Sequence, residues 1–218
     1  MSKVIVGEIE GPSTTSNKIT IASGSQLDLV GSAGTTTLDA ADITAGDLPS
    51  ARLPIGTVVQ VVSATKNDTN NFASTNTDTF VDLSGLSVSI TPTSSSNKIL
   101  IMFTVNITRS GTATQHVRLV RDTTAICVGD QEGSSRLRSS VTTRESPSGG
   151  VPYAYVLYPL SNSYLDSPGT TSATTYKLQG TLGASYAGTF YINECLSDGD
   201  NDYSPRTSSN ITVMEIKA

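Results

Sequence analysis

The chain has no tryptophan, a single histidine and two cysteines among its 218 residues, and charged residues make up only 15% of it. Without tryptophan, a flat ring platform for stacking on sugars is not expected. The 14 basic residues are spread thinly against 19 acidic ones, which gives a net charge of −5. Nucleic-acid binding needs a concentrated basic face, so we expect no nucleic-acid partner.

Long apolar runs are also missing. The longest, Ile99 to Val105, is far shorter than the roughly 20 residues of a membrane span and contains Thr104. In the opening Met1–Glu8 the apolar run ends after Val6, too early for the hydrophobic region of a secretory signal. We therefore expect neither membrane insertion nor secretion. In that setting Cys127 and Cys195 are expected to be buried thiols rather than a disulfide.

What the chain has in abundance is serine and threonine, which together exceed a quarter of the residues. Threonine favours strands and serine favours turns, and no Lys/Glu/Ala-rich segment indicates a helix. Residues 56–218 contain about nine or ten short alternating stretches, a spacing typical of an antiparallel β-sandwich or jelly roll. The predicted strands are 57–65, 80–83, 86–92, 99–107, 115–121, 124–128, 151–158, 174–182, 189–193 and 209–216.

Two of these strands carry specific expectations. The stretch 99–107 is nearly all apolar, which predicts a central strand buried on both faces. The stretch 151–158 holds three tyrosines, with Tyr153 and Tyr155 on one face and Tyr158 on the other. We expect core or subunit-interface roles for these rings rather than a sugar-binding platform.

Residues 1–39 differ in character. Three short alternating stretches separated by turns form a ribbon with too little apolar surface to be stable alone. Such a ribbon gains stability when copies from several chains wrap around each other, and the competing interpretation is an unfolded tail. Residues 40–55 form a turn-rich connector in which Pro49 and Pro54 each remove a backbone donor.

Several segments resemble known proteins. They are Ile43–Pro54, Gly56–Val62, Leu83–Ile101, Leu165–Gln179, Ser209–Ile216 and the opening Met1–Ile9. Together these segments span most of the chain and are similar to tail-fibre and virion structural proteins of marine and cyanobacterial tailed phages. The strand pattern of the C-terminal part is also similar to trimeric jelly rolls of the complement-collagen and tumour-necrosis-factor type, by analogy of pattern alone.

The resemblance implies a homotrimeric fibre, and we expect neither enzymatic activity nor a cofactor. Residues 1–39 would attach it to other virion proteins, and residues 56–218 would form a trimeric β-sandwich knob that faces a host-surface glycan or protein. The protein would be assembled in the host cytoplasm and located in the virion. Two alternatives remain open: a head or neck decoration that binds no receptor, and a polysaccharide depolymerase, which would need a carboxylate pair in a groove.

No catalytic, metal-ligating or cofactor-binding residue is predicted. The polar loops 129–150 and 197–209 are the recognition candidates, with Arg136, Arg138 and Arg144 in the first and Asp198, Asp200, Asp202 and Tyr203 in the second. The alternating acids suggest half of a calcium loop, but Tyr203 and Ser209 stand where such a loop needs glycine and glutamate. A solvated acidic loop is favoured over a looser calcium site.

His116, the only histidine, lies on a predicted strand on the same face as Arg118. No Gly-x-Ser-x-Gly segment or local carboxylate points to nucleophilic catalysis. A surface or subunit-interface role is favoured. If three copies meet at a threefold axis, their three histidines could hold a metal ion or an anion.

Overall fold

The computed structural model describes residues 52–74, 79–111, 113–144, 153–183 and 187–218. All of these belong to one compact unit, Leu48–Ala218. The ribbon predicted for residues 1–39 and most of the connector predicted for residues 40–55 lie outside the described residues. The predicted domain boundaries therefore stay predictions.

The strands and helices of the described residues given below are all β-strands, except for a short 3₁₀ helix at Tyr153–Tyr155. No described helix has the length and apolar character to cross a membrane. The strands are β1 Val58–Lys66, β2 Asn70–Ser74, β3 Val81–Ile90, β4 Lys98–Arg109, β5 Gln115–Arg121, β6 Thr124–Ile126, β7 Val141–Thr143, β8 Tyr158–Asp166, β9 Thr174–Leu182, β10 Gly188–Ile192 and β11 Ser209–Ile216.

The strands form two antiparallel sheets. Sheet A holds six strands with β4 at its centre. One side of β4 pairs with β8, and the other pairs first with β11 and then with β10. Strand β1 extends the sheet beyond β11, and β2 extends it beyond β10. Sheet B runs β3–β9–β5, and both β6 and β7 pair with the far side of β5.

The two sheets enclose one hydrophobic core. Alternate residues of each strand point into it, which is the period-two pattern that the sequence predicts. Strands β4, β9 and β11 supply many of its fully buried side chains, among them Ile99, Ile101, Val105, Ile107, Tyr176, Leu178, Leu182, Ile211 and Val213. The predicted β-sandwich is thus confirmed for the described residues.

Strand β4 corrects one expectation. It is central, as predicted, but the prediction that both of its faces are buried is wrong. Ile99, Ile101 and Phe103 point into the core, whereas Met102 on the opposite face is 37% exposed. Nothing in the described part of the chain covers the outer face of sheet A, so the apolar residues on that side of β4 are left partly open.

The tyrosine-rich segment is also placed differently. Residues 153–155 form the 3₁₀ helix rather than a strand, and β8 begins only at Tyr158. It continues through Asp166, over a segment for which the sequence predicts no strand. Tyr158, Leu160 and Tyr164 alternate inward and pack against the core. The serines and asparagine between them suggest a turn, but in β8 the serines lie on the outer face of an edge strand.

Three further differences concern strand limits. The two stretches predicted at 80–83 and 86–92 form a single strand, β3, interrupted by a register shift near Gly85, whose φ of +83° favours glycine. Strand β2 is rich in asparagine and β7 lies inside a predicted loop, so neither was predicted. Strands β9 and β11 have the predicted limits.

Candidate recognition and interaction surfaces

The loop that joins β6 to β7 holds two of the three predicted arginines, Arg136 and Arg138, and the third follows β7. Arg138 donates from Nε to the carbonyl oxygen of Gly129 at 2.7 Å, which closes the loop on itself. Arg136 is exposed and lies 3.9 Å from Glu132, a loose surface pair worth at most about 1 kcal/mol. Arg144 is exposed beyond β7. The three arginines therefore do not converge on a common point through any described hydrogen bond.

The second predicted loop, residues 197–209, falls in the 193–208 segment between β10 and β11 except for Ser209, which begins β11. This segment is held by several contacts of its own. Arg206 forms a two-pronged ion pair with Asp198, with Nε 2.9 Å from Oδ1. The Arg206 guanidinium holds the pKa of the Asp198 carboxyl below its usual range. Ser204 Oγ donates to the carbonyl oxygen of Ser197 at 2.7 Å, which tightens the same turn.

An aromatic contact fixes this loop to the segment before β8. The rings of Tyr155 and Tyr203 meet edge to face, with centroids 5.0 Å apart. The backbone N–H of Ser197 donates to the carbonyl oxygen of Ala154 at 2.8 Å. Tyr203 still exposes 58% of its surface, so its ring is held in place and remains available to a partner.

The loop borders a depression of about 460 Å³, lined by Asp198, Gly199, Asp200, Asn201, Ser204 and Arg206. Asp198 is already neutralised by Arg206, which leaves Asp200 and Asp202 as the exposed acids. No group of three or more His, Cys, Asp or Glu side chains in the described residues is arranged to hold a metal ion. Sequence reasoning missed Arg206 and Tyr155, because neither pairing leaves a local spacing signal.

The two predicted loops are not brought together. Within the described residues, no hydrogen bond or ion pair joins the 127–144 segment to the 193–208 loop. His116, on the outer face of β5, has Nδ1 2.7 Å from Ser139 Oγ. This pair lies with Arg118 on the outside of sheet B, as predicted for a surface position.

The outer face of sheet B is polar and internally bonded. Arg118 donates from Nε to Gln179 Oε1 at 2.9 Å, and Gln179 in turn donates to Asp82 Oδ1 at 2.6 Å. Lys177 forms an ion pair with the other oxygen of Asp82 at 2.8 Å. The Arg118 guanidinium also stacks 4.0 Å from the centre of the Phe80 ring. This face matches the ordinary solvated side of a sandwich.

The outer face of sheet A is different. The pairing registers align Leu165, Leu100, Met214 and Val61 side by side across β8, β4, β11 and β1. Met102 lies in the next row on β4, and we call these five residues the apolar face. Leu165 is 48% exposed and Val61 is 53% exposed. Beside Met102 is an open depression of about 380 Å³, lined by Met102, Phe103, Thr104, Ser161, Asn162, Ser163 and Asn210.

Comparison with known proteins does not identify a family for this chain. No family model matches the chain, and no curated protein matches it. A solved structure of infectious bursal disease virus, Gt strain, is similar with a TM-score of 0.35 and 13% identity over 73% of this chain. The Gx strain structure gives a TM-score of 0.33 and 15% identity over the same share. The alignments cover only 38% and 37% of those chains. Both TM-scores are low, so neither likeness identifies a fold or a function for this chain.

Proposed function

We propose that this chain is a structural fibre protein of a tailed-phage virion. Its N-terminal residues attach to the particle and hold three copies together, and its C-terminal sandwich is exposed for recognition of a host surface. The observation that carries the proposal is the 193–208 loop: an ion pair and an aromatic contact fix it, yet Asp200, Asp202 and Tyr203 face outward. The resemblance of the sequence to phage fibre proteins supports the same function.

A fixed loop suits recognition because little conformational freedom is lost when a partner binds. Tyrosine provides a large contact area together with a hydroxyl that can donate and accept hydrogen bonds. One such site is weak, but three sites on one trimer raise the overall affinity by about 10² to 10⁴ when they engage together. The ligand class proposed is a polar host-surface glycan or protein.

The test is competition for adsorption. Purified full-length protein is expected to block adsorption of virions that carry it, and Tyr203→Ala should weaken this block about tenfold or more, as for an interface anchor. Ser87→Ala, on the polar face of sheet B, is the matched control and should leave the block unchanged. A Tyr203→Ala protein that competes as well as the parent would remove this loop from the proposal. Arg136→Ala with Arg144→Ala, at two exposed positions on either side of β7, tests the other predicted loop, 129–150, in the same assay and leaves β7 in place.

The second candidate function is a head or neck decoration that stabilises the particle and binds no receptor. The apolar face of sheet A favours it, because a decorating protein needs a surface that packs on its neighbours. In that case, virions lacking the protein would break more readily under heat or osmotic shock and would keep their host range. A recognition fibre predicts the reverse: virions lacking the protein would stay intact and would lose adsorption to their host.

A polysaccharide depolymerase is the candidate from a different class. The buried acids argue against it, since they already serve as internal acceptors. Asp166 is bonded by Arg121 and Tyr176, and Glu215 is bonded by Thr93 and other donors. Incubation with host polysaccharide, followed by a reducing-end assay, tests this function directly, and release of new reducing ends would overturn the non-enzymatic proposal.

A further inference from the structure

The outward surfaces of the two sheets differ in a way that solvation alone does not explain. An antiparallel sandwich normally presents polar residues on both outer sides. Sheet B does so through its bonded network of Asp82, Arg118, Lys177 and Gln179. Sheet A instead carries the apolar face, with side chains on four adjacent strands in register.

We propose that the apolar face of sheet A is the surface through which copies of this chain pack against one another. The inference rests on the proposed trimeric fibre and adds the surface that makes the contact. In a trimer, three such faces would meet around a common axis. The occupant of each face is then a second copy of this same chain.

The charge distribution favours a second copy. The whole chain carries a net charge of −5, so copies repel each other over most of their surface. The outward positions of β8, β4, β11 and β1 carry one charged residue, Lys98, and no acidic residue. Lys98 lies at the end of β4, opposite Ile216 in the register. Two such faces therefore approach without like-charge repulsion except at this edge.

The place where the residues before Arg52 join the sandwich also favours a second copy as the occupant. Fifty-one residues precede Arg52, the first described residue. The segment that follows Arg52 is tied beside this part of sheet A, because the N–H of Gly56 donates to the Lys217 carbonyl at 2.8 Å. Ile55 and Val58, at the same end of the sheet, are 81% and 46% exposed. The exposed apolar surface thus continues up to the point where the preceding residues join.

The size of the face explains why the preceding residues are needed. The face spans four strands spaced about 4.8 Å apart and the roughly four residue positions along β4 that Leu100 and Met102 occupy, which gives a flat area of the order of 250 Å². A stable interface usually needs about 800 Å² per partner. The face alone would make a weak contact, whereas copies already joined through residues 1–39 reach effective concentrations of about a millimolar. The contact therefore completes an assembly that the N-terminal residues begin.

Thiol labelling of the full-length protein tests the inference. Ser163→Cys places a thiol beside Met102 on sheet A, and Ser87→Cys places one at an exposed position on sheet B. Replacing serine with cysteine changes the shape and volume of the side chain little at both sites. The parent chain supplies the background rate of Cys127 and Cys195. Sedimentation measures the mass of each variant in the same sample.

The expected result is a trimer in which the Ser163→Cys thiol reacts at least about tenfold more slowly than the Ser87→Cys thiol, equivalent to a contact that opens rarely. A trimer with equal rates overturns the inference and leaves the trimeric fibre standing. A monomer with equal rates overturns both. Protection that is found only on intact virions assigns the face to a different virion protein and likewise overturns the second-copy assignment.

Charge substitution gives an independent check on the same readout. Met102→Glu with Leu165→Glu, in the Ser163→Cys chain, places carboxylates where the copies meet and should return labelling to the Ser87→Cys rate. Each rate is expressed per thiolate from its pH dependence, because the new carboxylates also raise the pKa of the neighbouring thiol. Both positions are exposed strand surface in a single copy, so the sandwich itself should still form. Ser84→Glu with Ser87→Glu, on sheet B, is the matched control and should leave the Ser163→Cys thiol slow. Continued protection in the Met102→Glu, Leu165→Glu chain contradicts the inference.

Discussion

Asn97 donates from Nδ2 to Glu215 Oε1 at 2.6 Å, and both residues are buried at the end of the sandwich. The same oxygen accepts from the backbone N–H and the hydroxyl of Thr93, at 2.7 and 2.8 Å. Gln60 Nε2 donates to the other carboxylate oxygen at 2.6 Å. A fully buried charge is thus held by four donors, which join the β3–β4 turn to strands β1 and β11.

We expect Glu215→Gln to destabilise the protein by about 3 kcal/mol, because a buried amide NH₂ would face donors and leave some of them unsatisfied. Urea denaturation at fixed protein concentration measures the change. Glu132→Gln, at an exposed position of the β6–β7 loop, is the control and should stay within about 0.5 kcal/mol of the parent. Equal midpoints for the two variants would mean that the Glu215 network adds no net stability.

The same carboxylate should make stability depend on pH. Burial by itself raises the pKa of Glu215, but the hydrogen bonds from Asn97, Gln60 and Thr93 outweigh it, so the pKa lies below its ordinary value of 4.5. A lowered folded-state pKa adds stability that is complete above the ordinary value and is lost as the pH falls through the folded pKa.

The stability difference between the parent and Glu215→Gln should therefore be constant near neutral pH and shrink progressively below pH 4.5. Urea midpoints measured from pH 7 to pH 3 give this curve. Other carboxylates titrate in both proteins and cancel in the difference. A difference that does not change with pH would show that Glu215 is not responsible for the effect.

A second buried carboxylate allows the stability from a buried ion pair to be compared with that from an exposed ion pair in the same protein. Arg121 donates to both oxygens of Asp166 at 2.9 Å, and Tyr176 donates to Oδ2 at 2.8 Å. Burial and the bond to Asp166 raise the pKa of Tyr176 far above its ordinary value, so its hydroxyl remains a donor. Arg121→Ala should cost about 3 kcal/mol because it leaves a buried charge unpaired.

Tyr176→Phe should cost less, about 1 to 2 kcal/mol, since Arg121 still neutralises Asp166. Lys177→Ala is the control: it breaks the more exposed pair with Asp82 and should cost at most about 1 kcal/mol. Thermal or urea unfolding ranks the three variants. If Lys177→Ala proved as damaging as Arg121→Ala, burial would not be what determines the strength of these pairs.

The strand pattern was readable from the sequence wherever apolar residues alternate strictly, as in β9 and β11. The strand prediction failed in β8, because Asn162 and Asp166 occupy inward positions and interrupt the alternation of apolar and polar residues. Asn162 is accepted there because its amide donates to the carbonyl oxygen of Ser140 at 3.2 Å, a contact between distant residues that no local pattern reveals. The 3₁₀ helix at 153–155 was missed because three tyrosines favour a strand.

The recognition surface was only partly readable. Composition alone selected the 197–209 region, but the partner of Asp198 is Arg206, eight residues away, and the partner of Tyr203 is Tyr155. Likewise, an apolar run such as 99–107 predicts that both faces of its strand are buried. The run does not say whether each face is covered by the same chain or by a second copy. Contacts that depend on tertiary or quaternary neighbours are invisible to periodicity.

Gly188 gives a sharp test of the packing between β10 and the turn after β4. A Cβ atom added there would lie 2.7 Å from the backbone carbonyl oxygen of Ser110 and 3.1 Å from Leu182 Cδ1. A backbone atom cannot move aside as a flexible side chain can. The steric cost of roughly 1 to 3 kcal/mol should exceed the gain of about 0.4 to 1 kcal/mol from a stiffer unfolded chain.

Gly188→Ala should therefore destabilise by about 1 to 2 kcal/mol, measured by urea denaturation. Gly129→Ala is the matched control, because a Cβ at Gly129 meets no atom within 4 Å. It should be neutral or slightly stabilising, since only the unfolded-chain effect remains. If both alanine variants were equally stable, β10 would have to shift freely against Ser110, and the hydrogen bond from Ser110 N to the Thr189 carbonyl at 3.0 Å would not fix it. Hydrogen exchange at the Ser110 amide distinguishes the two outcomes, because a shifted β10 would leave that amide unprotected.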